Sequence, residues 1–191
     1  MRKDIAKSKD QYLEMLYVYI KNYFKQPKSL WIWEVFSSGL EELIYKSLAE
    51  TYAITINAAE DLYNIKFQET IDAETLEKLT YSKDGKSLIE RLKTHYDNAI
   101  TRDNTTEYFY NRIVLIMDTE TLYSSNHVIH GKLKRHATHA EVINDNDDFC
   151  LDHEACEIWV SKGKMPIEEL EELPPYHPDC ECEVIYYFDE N

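Results

Sequence analysis

The feature that most limits what this chain can fold into is the placement of its helix breakers. Four of its five prolines lie at position 166 or beyond, so Pro27 alone interrupts the long first part of the sequence. Apolar side chains there recur at helical spacing. Ile5, Tyr12, Leu13, Leu16, Tyr17, Ile20 and Tyr23 form one stripe, which predicts a helix from Asp4 to Phe24 that Pro27 stops. The aromatic-dense run SLWIWEVFSSGL that follows reads as a buried connector or short helix, with Gly39 as a break. From Glu41 to Lys66 a second stripe appears: Leu43, Ile44, Leu48, Tyr52, Ile56, Ala59, Leu62 and Tyr63. After a loop at Asp84-Gly85, Ser87 and Glu90 have the spacing of a capping box and predict a helix from Leu88 to Asn98. The stretch NTTEYFYNRIVLIMDTETLYSSNH predicts a longer helix that starts near Thr105 or Thr106.

After Asn126 the texture changes. HATHAEVI and CEVIYYF are short, β-branched and aromatic with partial alternation, as strands are. Between them lie an acidic loop, the mixed segment ACEIWVSKG, and MPIEELEELPP, whose paired glutamates read as an acidic helix face. The expected fold class is therefore α+β, a mainly helical body followed by a small cysteine-containing β lobe. The expected divisions are a helical extension over 1–40, a helical body over 41–125 and the lobe over 126–191, with 41–191 forming one domain.

Charge narrows the partners. The formal net charge is −15 over 191 residues, and from Glu141 onward only Lys162 and Lys164 oppose the acids. Such a surface repels phosphate, so direct nucleic-acid binding by this part is not expected. The first thirty residues are mildly basic and read as a solvated helix face or a contact for an acidic partner. No stretch has the roughly twenty uncharged apolar residues of a membrane helix, and MRKDIAKSKD has no apolar signal core. Fifteen tyrosines against six phenylalanines point to amphipathic surfaces and protein contacts more than to a dry core.

All four cysteines lie between positions 150 and 182. In the reducing cytoplasm expected for this chain, clustered cysteines read as metal ligands or buried thiols before they read as disulfides. CLDHEAC and HPDCEC offer short Cys/His steps from two separated turns, a layout that structural zinc sites use. The first candidates for zinc ligands are Cys150, Cys156, Cys180 and Cys182, with His153 and His177 able to replace any of them. The other readings are a proline-stiffened turn with two buried thiols, and a disulfide inside the lobe. His127, His130, His136 and His139 belong to no HExxH pattern and are expected at exposed strand or loop positions. NDNDDF lacks the glycine and distal glutamate of an EF-hand loop and reads as a solvated acidic turn. No phosphate-cradling glycine loop, G-x-S-x-G or paired nucleophile is present, so no catalytic set is expected.

The order of these features resembles the phage head morphogenesis family of minor head proteins. Arg112, Thr119, Glu120 and Asn126 match the helix part of its pattern. Asp148, Cys150 and Cys156 match the turn, and Leu173, Pro174, Pro175, His177, Pro178, Cys180 and Cys182 match the ending, so the likeness covers roughly residues 45–190. Glu181 stands where that family usually has arginine, and His136 is nearest to where it has a strand tryptophan. The resemblance implies a minor capsid component of the virion, assembled in the host cytoplasm and associated with the portal or other head proteins. Its implied role lies in head assembly or genome ejection. A zinc-dependent hydrolase or toxin-like enzyme, and a small zinc-stapled regulatory protein that binds a host factor, are the alternative expectations.

Overall fold

The computed structural model describes residues 2–67, 86–144, 154–177 and 180–188. Helix α1 spans Arg2–Phe24, as its apolar stripe predicts, and a 3-10 turn over Lys28–Leu30 follows Pro27. Helix α2 spans Trp33–Tyr63 and runs straight through Gly39. The expected break at Gly39 is therefore wrong, and so is the expected connector over the second half of the aromatic run.

Gly39 serves close packing between α1 and α2. A Cβ built there would lie 2.6 Å from the Tyr19 hydroxyl oxygen. That hydroxyl donates to the Phe36 carbonyl at 2.7 Å, and the Tyr19 ring stacks on Phe36 at 5.4 Å, so the ring has little room to retreat. Gly39→Ala tests which effect wins. The better helix propensity of alanine is worth about 1 kcal/mol, whereas overpacking costs about 1–3 kcal/mol. We expect a net loss of about 1 kcal/mol in urea unfolding; a gain in stability would show that Tyr19 moves freely.

Helix α3 spans Leu88–Ala99 and opens with the expected capping box. The Ser87 amide donates to Glu90 at 2.8 Å, and the Glu90 amide donates to the Ser87 hydroxyl at 3.2 Å. Helix α4, Thr105–Leu133, starts where expected but continues well beyond residue 125. It passes from the helical body into the lobe, so the expected division at 125 falls inside one continuous helix, as the division at 40 falls inside α2.

The four helices enclose an aromatic core. Phe36 and Phe109 are fully buried there, with Tyr23, Phe24 and Tyr96 against them. The Tyr23 and Phe36 rings lie 4.3 Å apart, and Phe36 and Phe109 lie 5.5 Å apart. Tyr23, Tyr52, Tyr96, Tyr176 and Tyr186 are all buried, so tyrosine builds the cores here as well as the surface. Among the described residues no helix is long and apolar enough to cross a membrane.

The lobe carries both expected strands. Strand β1, His139–Ile143, is central in a three-stranded antiparallel sheet of order β2-β1-β3. Its neighbours are β2, Met165–Pro166, and β3, Glu183–Tyr187. The register pairs Ala140 with Met165 on one side and with Tyr186 on the other. Alternation places Ala140 and Val142 in a second core, which also holds Leu133, Trp159, Leu170, Tyr176 and Tyr186. Between β1 and β2, the segment ACEIWVSKG supplies helix α5, Glu154–Ser161, which turns Cys156 and Trp159 inward. The expected acidic helix face over EELEEL is corrected. After Pro166 the chain makes only a 3-10 turn, Ile167–Glu169, and no α-helix follows before Pro174. With proline at either end the segment is too short for regular helix, and its glutamates stay in solvent.

Candidate functional site

The site is built where α5 meets the chain's closing turn. Cys156 faces inward from α5, and His177 and Cys180 come from the turn that precedes β3. The turn is closed by the Cys180 amide, which donates to the His177 carbonyl at 3.2 Å. Cys156 and Cys182 are fully buried, Cys180 is 5% exposed and His177 is 8% exposed. The Cys156 and Cys180 sulfurs lie 3.7 Å apart. One ligand atom from each of Cys156, His177 and Cys180 falls within 4.8 Å of the other two. This buried cluster, with Cys182 beside it, can hold a metal ion. None of Cys156, Cys180 and Cys182 is in a disulfide.

The thiols do not share charge equally. Hydrogen bonding from the Cys182 thiol, helped by backbone amides and by Cys156, holds the Cys180 thiol well below its ordinary pKa despite burial. The same contact and the same burial push Cys182 upward. A site that already favours one thiolate in an apolar interior is chemically suited to a cation. Tyr176 is held protonated by burial first and by the neighbouring thiols second, and its ring lies nearly parallel to Trp159 at 6.4 Å.

Helix α4 is tied to the closing turn. The Asn126 side-chain amide donates to the Pro174 carbonyl at 3.1 Å, and both residues are buried. The Pro174-Pro175 peptide is cis. Thr119 is buried and its hydroxyl donates to the Leu115 carbonyl at 2.9 Å. Glu120 is fully buried and pairs with Arg91 of α3. Arg112 is exposed, with its guanidinium 5.4 Å from the Tyr108 ring centre. Arg91 drew no attention in the sequence. The signal was Glu120 itself, a carboxylate on the apolar side of α4 that requires a cation. Pro175 is buried beside His177. Asp148, Cys150, His153 and Pro178 lie outside the described residues, as do the Asp84-Gly85 loop and most of NDNDDF.

Comparison with family models, with curated proteins and with solved structures gives no match to this chain.

Three of the four upstream histidines depart from the expected exposure, and two of them are helical. His127 and His130 sit half-buried on α4, whereas His136 is exposed and His139 lies half-buried on β1. Helix α4 continues past the point where the sequence changes texture, which is why they are helical. Burial holds the His130 pKa down to about 4 and lowers that of His127 too. The unfolded chain therefore binds protons at these rings before the folded chain does, and stability falls as pH drops below the ordinary value of 6.5. After allowance for partial solvent exposure, His130 should account for about 1–2 kcal/mol lost between pH 6.5 and 4. Urea midpoints for His130→Gln should fall less steeply over that range; an unchanged slope would remove His130 as the cause.

Proposed function

We propose that this chain is a minor head protein of a phage, docked on the portal and acting in head assembly or genome ejection. The single observation that supports this reading most is the contact between Asn126 and the Pro174 carbonyl. It joins the two sequence-distant halves of the head-morphogenesis pattern, and the closing turn it supports is the one that carries His177, Cys180 and Cys182. The acidity of the chain favours the same role, since a net charge of −15 disfavours packed DNA and leaves protein as the surface to bind.

Within this reading zinc is the ion, and its role is structural. A Zn–S distance of about 2.3 Å in a tetrahedron sets sulfurs about 3.8 Å apart, close to the 3.7 Å between Cys156 and Cys180. Cys156, His177 and Cys180 supply three converging donors, and Cys182, which hydrogen-bonds with Cys180, is the neighbour we assign to the fourth position. With Cys182 bound as well, four protein ligands would close the ion to water, whereas a hydrolytic centre needs an open position. The test of the functional reading is affinity purification of the tagged chain from infected cells or co-expressed head proteins. Portal protein should co-purify with the wild type, and complexes that never contain portal would overturn the proposal.

A further inference from the structure

A cleft of about 470 Å³ opens between α4 and the segment that leads to the closing turn. Tyr123, His127 and His130 line it from α4, and Glu171, Glu172 and Tyr176 line it from that segment. The two histidines are three residues apart on one helix and so share a face. His127 Nδ1 lies 2.9 Å from the Tyr123 carbonyl oxygen, where it can act only as a donor. Its Nε2 is therefore the acceptor, and its ring is fixed by stacking on Tyr123 at 3.7 Å. His130 Nδ1 lies 3.2 Å from the Tyr186 hydroxyl. Burial keeps both rings neutral.

Among the polar groups of the cleft, the two carboxylates and His127 Nε2 are acceptors, and each phenol can donate or accept. Two carboxylates and two neutral imidazoles meet two phenol rings, and no lysine or arginine is among the described lining residues. Lys134, the cation whose field reaches His130, is exposed at the end of α4, where salt screens it. An anion finds little to bind. A metal ion lacks converging donors, since Cys156, His177 and Cys180 form the sole such group among the described residues. A guanidinium or ammonium group has the opposite inventory: several N–H donors, a positive charge, and an affinity for aromatic faces.

We propose that this cleft receives a single organic cation, either the side chain of an arginine or lysine displayed by a partner protein or a free amine of similar shape. The proposal does not depend on the portal reading and would survive its failure. The test follows the His127 and His130 ring resonances by NMR in the full chain. Agmatine is one probe, and a blocked Gly-Arg-Gly peptide is the other. Saturable shifts with a Kd of about 1 mM are expected for at least one probe, weakening about tenfold in Glu171→Gln/Glu172→Gln. Both glutamates are exposed, so this variant should fold as the wild type does. Tighter binding of the peptide assigns the cation to a partner's side chain, and tighter binding of agmatine assigns it to a free amine. Absence of saturation for both probes, or equal affinity in the double variant, overturns the proposal.

Discussion

Glu120→Ala is expected to cost about 3–5 kcal/mol, the largest loss from any single substitution outside the cysteine cluster. The Glu120 side chain is 0% exposed and the Arg91 side chain is 16% exposed, so solvent reaches the pair only from the arginine side. Removing the carboxylate leaves Arg91 at the interface of α3 and α4 without that compensating charge. The cost is chiefly this stranded charge, not the intrinsic worth of the pair. Replacing both partners distinguishes the two. The double variant Glu120→Leu/Arg91→Met should be far less destabilised than the sum of its single variants, and urea unfolding of all four proteins gives the coupling energy directly. If Glu120→Ala unfolds within about 1 kcal/mol of the wild type, the pair does not hold α3 to α4.

The second large effect concerns the metal. Protein purified without chelator should contain one zinc per chain, and stripping it should loosen the lobe while the aromatic core of the helical body stays folded. A ligand that binds only the folded state at a thousand times its Kd adds about 4 kcal/mol, so the lobe's unfolding should shift strongly with zinc activity. Cys156→Ser, Cys180→Ser, Cys182→Ser and His177→Asn should each lower the zinc content. Cys150→Ser is the informative comparison, because the sequence had offered Cys150 as a ligand. Retained zinc in that variant, with loss in Cys182→Ser, assigns the fourth position to Cys182. A metal content near zero in fully folded protein would leave the three buried sulfurs as apolar packing.

These two predictions were not equally legible beforehand. The capping box at Ser87 and Glu90 could be read directly, because it is a contact between residues three apart. The strands β1 and β3 were legible for the same reason, since alternation reports a face that is buried on one side. The cysteine and histidine cluster was half legible. Residue types and short spacings announced it, but which donors converge depends on how α5 packs against the closing turn, and two turns with similar donors offer several combinations. The Arg91–Glu120 pair was invisible as a pair, because its members are 29 residues apart and nothing local in the chain links them.

The misreadings have one cause as well. Glycine weakens an isolated helix, which makes Gly39 read as a break, yet the Tyr19 ring of α1 packs where a Cβ at Gly39 would stand. His127 and His130, in no HExxH pattern, read as exposed strand or loop residues, whereas the helix continues to Leu133 and half-buries both. In each case a local preference was overridden by a packing partner distant in sequence.

By itself, then, the sequence determined the helical and strand character of most segments, the α+β class, and the short list of residues able to bind a metal. Those properties arise from interactions over three or four residues and from periodic burial. The tertiary structure decided that Cys156, His177 and Cys180 meet, that Asn126 joins the closing turn, that Arg91 neutralises Glu120, and that two histidines share a cleft with two glutamates. Such meetings depend on how whole helices pack, and packing is settled by the summed burial of many side chains, which no short stretch of sequence contains.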